Sequence, residues 1–301
     1  MVLQSLQQSM AATLTRLQAD EGDIGTAIPG LLLFRRNQPS DPAFCLVEPS
    51  IVLVAQGRKQ MVAGGAAYPY DTSTFIVNSV DLPASSQVIE ASPDAPCVGL
   101  VLKLDFRLLA DLVSQVNTPV VDDGAVKGIS ASLGTMTPKL FSPLTRLVEL
   151  LEEPDAIDVM APMLKREIHF RLLQSDKAAM LMHIASFDSQ AFRVSKAINW
   201  LKQHFNSMVR VETLASMASM SQPTFHLHFR QLTGMSPLQY QKWLRLNEAK
   251  RLMMNSQCDA STAAFEVGYE SPSQFSREYR RMFGVPPRAD LAQVRKNSSL
   301  V

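Results

Sequence analysis

From Tyr269 to Pro287 the chain reads YESPSQFSREYRRMFGVPP, and earlier, from Met220 to Pro237, it reads MSQPTFHLHFRQLTGMSP. In register, Phe225 falls on Phe275, Phe229 on Tyr279, Arg230 on Arg280, Leu232 on Met282, Gly234 on Gly284 and Pro237 on Pro287. Upstream, Leu214 and Ala215 match Ala263 and Ala264, and Ala218 matches Val267. One extra residue precedes the serine of the second copy, so the insertion lies in a turn. Two copies are too few for a solenoid, where at least three units stack to share a core. The chain contains one small duplicated unit.

Aromatic residues four apart lie on one face of a helix, one turn above each other. Each copy therefore predicts a helix, a short turn and a second helix that buries Phe225 and Phe229, or Phe275 and Tyr279. Ser221 and Ser271 are placed to cap those second helices, Pro272 suits a first helical turn, and Gly234 and Gly284 suit helix C-termini. The small residues Ala215 and Ala218 let the paired helices cross closely. Between the copies, LQYQKWLRLNEAKRLMMN (residues 238–255) has no Gly or Pro. At 1.5 Å per residue it predicts a rod of roughly 27 Å. With the helix radii added, the two second helices come roughly 34 Å apart, one turn of B-DNA, so one chain could enter two successive major grooves.

The chain has 301 residues, 46% of them apolar, which is enough for two ordinary domains. Its near-zero net charge hides a split. From Gln190 onward there are 15 Lys and Arg against 7 Asp and Glu, a net of +8, which leaves 14 against 21, or −7, before it. The duplicated unit lies wholly in the basic part, as expected of a domain facing a polyanion. The longest apolar runs fall far short of the roughly 18–20 residues that cross a bilayer. The N-terminus lacks the basic cluster and apolar stretch of a secretory signal. Cys45, Cys97 and Cys258 are odd in number and scattered, which fits a reducing compartment. A cytoplasmic protein without membrane contact is expected.

Before the helices the periodicity differs. From Ile28 to Asp105 short apolar segments (LLLF, FCLV, IVLVAQ, TFIVNSV, SQVIEA, CVGLVLKL) alternate with Gly, Pro, Asn, Asp and Ser, predicting roughly seven or eight strands of a sandwich or small barrel. Gly64-Gly65 suits a tight hairpin. Asp105 is placed to cap a helix, FRLLADLVSQV. Residues 117–138 read as a loop. Beyond them Leu164, Ile168 and Leu172 form a stripe that can pack on the β domain or on a second copy of the chain. ASFDSQAF, Ala185 to Phe192, lacks a sustained period and marks a domain boundary.

The segment from about Val194 to Pro287, with LASMASMS, FRQLTGMSP and AAFEVGYESPSQFSREYRRMFGVPP, resembles the DNA-binding domain of the AraC/XylS family of bacterial transcription regulators. IPGLLLFRR, EPSIVLVAQGRKQ and SVDLPASSQVIEASPDAP resemble the N-terminal sensor and dimerisation domain of one branch of that family. The resemblance implies an α+β chain of two domains: a cupin-like β sandwich or barrel with following helices, then an all-α tandem helix-turn-helix domain. The expected bounds are an N-terminal arm, flexible or helical, over 1–24, a sensor domain over 25–125, a coupling and dimerisation region over 138–186 and the DNA-binding domain over 192–301. Implied partners are double-stranded promoter or operator DNA, a small-molecule effector or stress signal that modulates binding or activation, a second copy of the chain, and RNA polymerase.

Within the second copy, Arg277 can bond guanine in bidentate fashion and Ser273 or Gln274 can reach neighbouring bases. Thr224, His226 and Leu227 are the first-copy candidates, and Leu227 departs from the family pattern by standing where a basic residue is usual. Leucine cannot donate to a guanine edge, although it can touch a thymine methyl. Arg230, Lys242, Arg245, Lys250, Arg280 and Arg281 are candidates for phosphate contacts or for a solvated surface. Phe225, Phe229, Phe275, Tyr279 and Trp243 read as core. In the β domain Glu48, Arg58, Lys59 and Glu90 could orient an effector. Cys45 is either a small buried hydrophobe or a thiol activated by Arg58 or Lys59.

Enzymatic alternatives find little support. There is no HExxH, GxSxG or Walker-type phosphate loop. All five histidines lie after residue 168, so no histidine-ligated metal is expected in the β domain, and no cofactor is expected. A DNA-binding architectural protein without sensing, and a cupin-like enzyme with a DNA anchor, are the competing readings.

Overall fold

The computed structural model describes residues 2–115, 131–185, 190–255 and 258–291. They fall into two compact units, one of Met1–Ser195 with Gln231–Gly234 and one of Lys196–Arg230 with Met235–Val301. The first unit begins with helix α1 (Val2–Leu17) and continues through strands β1 (Gly22–Gly25), β2 (Leu31–Arg36), β3 (Ala43–Val47), β4 (Ser50–Gln56), β5 (Arg58–Ala63), β6 (Ala66–Tyr70), β7 (Thr74–Asn78), β8 (Leu82–Glu90) and β9 (Cys97–Lys103). Helix α2 (Phe106–Gln115), strand β10 (Ala131–Thr135) and helices α3 (Pro138–Glu149), α4 (Ile157–Leu172) and α5 (Ala178–Ala185) follow.

The strands form two antiparallel sheets, a six-stranded one in the order β1-β2-β9-β4-β7-β10 and a four-stranded one in the order β3-β8-β5-β6. The continuous apolar run of β4 is explained by its place inside the larger sheet, where both faces are covered. Ile51, Leu53 and Ala55 join the helix-side core, whereas the alternate residues Val52 and Val54, also buried, face away from it. Gly64 and Gly65 close the β5–β6 hairpin with φ of 59° and 84°, the pair of positive angles that a type I′ turn requires.

Residues 2–17, expected as part of an arm, form a helix whose Met10, Ala11 and Leu14 enter the core. Leu164, Ile168 and Leu172 enter the same core, so their stripe packs within the chain. Asp105 caps α2 as expected, accepting from the backbone N–H of Arg107 at 3.0 Å and of Leu108 at 3.1 Å. One part of the expected 117–138 loop is instead a strand: Ala131–Thr135 pairs along β7. Its sequence, ASLGT, carries little strand propensity, and the edge of β7 supplies the order. A Cβ at Gly134 would lie 2.3 Å from the Phe75 ring, so the ring needs a glycine there. Part of the expected boundary, residues 186–189, lies outside the described residues, as do residues 116–130.

The second unit is helical. Helix α6 (Gln190–His204) leads into α7 (Val211–Met217) and α8 (Gln222–Thr233), then α9 (Pro237–Asn255), α10 (Ala260–Glu266) and α11 (Pro272–Phe283). Phe225 and Phe229 of α8 are fully buried, and Phe229 meets Tyr240 of α9 edge-on, with ring centres 5.5 Å apart. Leu246, Ala249 and Met253, further along α9, pack with Ala263, Ala264, Phe275 and Tyr279. The linker helix thus contributes to the core of each copy in turn.

The repeat extends to backbone detail. Met220 N–H donates to the Ala215 carbonyl and Tyr269 N–H to the Ala264 carbonyl, both at 2.9 Å. The residue before each donor is left-handed: Ser219 with φ 52° and Gly268 with φ 88°. Ser271 caps α11 through the N–H of Gln274, and Gly284 ends that helix with φ 83°. No helix among the described residues is long and apolar enough to cross a membrane.

Candidate nucleic-acid interface

Helix α11 has two unlike faces. Phe275 and Tyr279 are buried, while Ser273, Gln274, Arg277, Arg280 and Arg281 are exposed. Among the described residues the Arg277 guanidinium has no hydrogen bond or ion pair, so its five donors are available to a ligand. Glu278 fixes the helix from the side. It pairs with Lys242 of α9 at 2.9 Å and accepts from the Tyr269 hydroxyl at 2.8 Å and the Gln274 amide at 3.3 Å. Burial pushes the Glu278 carboxyl up, but the hydrogen bonds from Lys242, Tyr269 and Gln274 outweigh it and hold the group below its ordinary range. At the other end the Tyr279 hydroxyl donates to Asp290 at 2.6 Å, and Lys250 of α9 pairs with the same carboxylate at 2.8 Å.

These bonds sort the six cations expected at phosphates. Arg230, Arg280 and Arg281 are exposed and without an ion pair among the described residues. Lys242 and Lys250 each hold a carboxylate of α11 or of the segment after it. Arg245 turns inward, donating to the carbonyls of Phe205 at 2.7 Å, Gly268 at 2.8 Å and Ser207 at 2.9 Å. Its guanidinium braces two turns of the second unit. Glu278 and Tyr269 were not singled out from the sequence, although the i, i+4 spacing of Gln274 and Glu278 was a visible signal.

On α8, Thr224, His226 and Leu227 are all exposed, Leu227 to 57%. The Thr224 hydroxyl lies 2.8 Å from that of Ser221 at the start of the helix. In the register of the repeat, Leu227 occupies the place of Arg277, so the outward faces of the two copies differ in chemistry although their inner faces match.

The model of a family described as "AraC-type transcriptional regulator N-terminus" matches residues 27–180, over half of the chain. This chain belongs to the AraC family of transcriptional regulators. A second family model, of a helix-turn-helix domain, matches residues 214–293, which include both copies of the unit. The AraC-type chain is similar to the HTH-type transcriptional activator RhaS of Shigella dysenteriae, with 26% identity over 245 residues, covering 80% of this chain and 81% of RhaS. RhaS of Escherichia coli O81 matches to the same extent. In fold it resembles ToxT of Vibrio cholerae, solved with an unsaturated fatty acid bound, at a TM-score of 0.59 and 13% identity over 87% of this chain and 94% of ToxT.

In the N-terminal unit of this AraC-type regulator the expected effector residues separate into rim and interior. Arg58 and Glu90 form an exposed pair at 3.5 Å, and Glu48 pairs with Lys103. Lys59 crosses between the sheets, its ammonium 4.1 Å from the centre of the Phe34 ring. Burial lowers its pKa. Cys45 and Cys97 share this environment. Burial raises the Cys45 thiol despite the pull of Lys59, and pushes Cys97 up to about 11. Neither is held as a thiolate, so the activation considered for Cys45 is not built here. Phe34, Arg36, Tyr70 and Cys97 line this interior without having been singled out. Only the strand register, which sets their parity, reveals them.

Proposed function

We propose that this AraC-type regulator binds double-stranded DNA through α8 and α11 in successive major grooves, with α11 as the principal reader of bases. Ser273, Gln274 and Arg277 face bases in this scheme, and Thr224, His226 and Leu227 make the lesser contribution. Arg230, Arg280 and Arg281 contact phosphates, while Lys242, Lys250 and Arg245 set the pose of α11. The observation that carries the reading is the outward Arg277, unpaired on a helix whose other face is anchored at Glu278 and Asp290.

The N-terminal unit, with its two facing sheets in a cupin-like arrangement, binds a small-molecule effector that modulates DNA binding or activation. The exposed Val159, Met160 and Met163 on α4 support a homodimer formed through that helix. The chain works in the bacterial cytoplasm, without catalysis, metal or cofactor, and meets RNA polymerase at the promoter. Genomic mapping of bound sites followed by footprinting with the full chain tests this. A salt-sensitive footprint spanning two adjacent major grooves is expected, and sequence-indifferent binding would instead favour the architectural reading.

A further inference from the structure

Two side chains of the linker helix join the copies away from the chain's own path. Gln241 and Arg245 lie four residues apart on α9 and so share one face. Gln241 Nε2 donates to the carbonyls of Phe205 at 2.8 Å and Ser207 at 2.7 Å, and Arg245 donates to the same two carbonyls at 2.7 and 2.9 Å. Both lone pairs of each carbonyl are thereby engaged. Phe205 and Ser207 follow the end of α6, where carbonyls lack partners within the helix, and they begin the connector that leads into α7, the first helix of the first copy. The remaining arm of Arg245 donates at 2.8 Å to the carbonyl of Gly268, in the turn between α10 and α11 of the second copy.

The same junction accounts for a glycine. Ser219 holds the equivalent left-handed turn of the first copy with φ 52°, so that conformation alone does not demand glycine. At Gly268 a Cβ would lie 2.1 Å from the Asn206 carbonyl oxygen, and it is this close approach of the connector that does. The Phe205 side chain packs on the core of the second copy as well. Beside the bonds a cleft of about 410 Å³ opens between Met208, Leu238, Gln274 and Glu278. On that side the seam is open rather than packed, so hydrogen bonds carry the alignment there. Each copy otherwise rests on its own stretch of α9, and long helices bend. The clamp at Gln241 and Arg245 is a second connection that such bending would have to break.

We propose that Gln241 and Arg245 fix the distance and angle between α8 and α11, and so make the chain selective for the number of base pairs between the two halves of its operator. Both are positioning residues, acting through the backbone of the connector and of the second turn. The proposal rests on the reading that α8 and α11 enter successive major grooves. With 10–10.5 base pairs to a turn of about 34–36 Å, one base pair more or less shifts one groove by about 3.4 Å and about a tenth of a turn relative to the other. Two readers locked together cannot follow both shifts.

The test measures binding of the full chain to the strongest duplex recovered from a random pool, and to the same duplex with one base pair added or removed between its two footprinted halves. The wild type is expected to lose at least about tenfold on either change, and Arg245→Met less than about threefold relative to its own affinity for the parent duplex. Gln241→Met, the milder change because the Arg245 bonds remain, should fall between them and serves if Arg245→Met does not fold. Met253→Ala hollows the second core without touching the clamp, so it should lower the melting temperature and keep the whole spacing penalty. Arg245 meets no phosphate in this scheme, so Arg245→Met should keep the wild-type salt slope. A wild type indifferent to spacing, or a penalty that survives intact in the clamp variants, overturns the proposal and leaves the two-groove reading standing. A slope lowered by about one in Arg245→Met assigns the side chain to a phosphate and overturns it too. Binding that needs only one half of the duplex overturns the two-groove reading and the proposal with it.

Discussion

The His169 ring accepts a hydrogen bond at Nε2 from the backbone N–H of Asp105 at 3.0 Å, while Nδ1 meets the Lys165 carbonyl at 2.7 Å. The carbonyl can only accept, so Nδ1 carries the proton, Nε2 is bare and the ring is neutral. Burial lowers the pKa of the ring from its ordinary 6.5. A group depressed in the folded state binds its proton first in the unfolded chain, so its stabilising contribution is complete above the unfolded value and is lost as pH falls through the folded one. Denaturant midpoints should hold steady above about pH 7 and drop as the pH is lowered past the ordinary histidine value. His169→Leu should remove that dependence and cost about 1–3 kcal/mol for the unpaired Asp105 N–H. A wild-type stability that is flat across the window would show that the ring is not held neutral.

Ser219 and Gly268 occupy equivalent left-handed turns, and only one is a glycine. Ser219→Gly should stabilise the second unit by about 0.5–1 kcal/mol, the relief of strain less the entropy of glycine. Gly268→Ala should do the reverse, by more than about 2 kcal/mol, because its Cβ would lie 2.1 Å from the Asn206 carbonyl oxygen as well as at a positive φ. Thermal melts of both variants check the pair of signs.

Arg277→Ala should flatten the preference for one guanine in a selection from random DNA, at about 1–3 kcal/mol. Arg281→Ala should weaken binding to all sequences alike and lower the salt slope by about one. Leu227→Ala should change at most a preference for one thymine. An Arg277→Ala protein with an unaltered base profile removes α11 from its role as reader.

Glu278→Gln keeps the shape of the side chain but discharges the partner of Lys242. It should loosen α11, blurring preference at several base positions while leaving the salt slope close to that of the parent. A sharp profile with a changed slope would mean that Lys242 had been freed for a phosphate.

Met163→Glu, placed on the exposed apolar face of α4, should shift the chain toward monomer in sedimentation without altering its melting temperature. A dimer that persists unchanged locates the subunit contact elsewhere.

The duplicated helices were legible in the sequence because aromatic spacing, serine caps and glycine ends all agreed. Phe225, Phe229, Phe275 and Tyr279 are buried where that spacing puts them. The β segments could be counted from their punctuation, except for β1 and β10, whose residues GDIG and ASLGT owe their order to pairing with β2 and β7. Which strands face each other is a long-range property. Arg58 and Lys59 are adjacent in sequence, and nothing local says that one pairs with Glu90 at the surface while the other reaches Phe34 in the interior. Likewise, a basic residue on α9 looks the same whether it meets solvent or, like Arg245, three carbonyls.

Leu227 and Arg277 stand at matched positions in the two copies of the unit, so under the proposed reading the two helices offer DNA unlike chemistry, an apolar tip suited to a thymine methyl and a guanidinium suited to a guanine edge. An operator read this way consists of two unlike halves, and exchanging those halves while keeping every base would misplace both contacts.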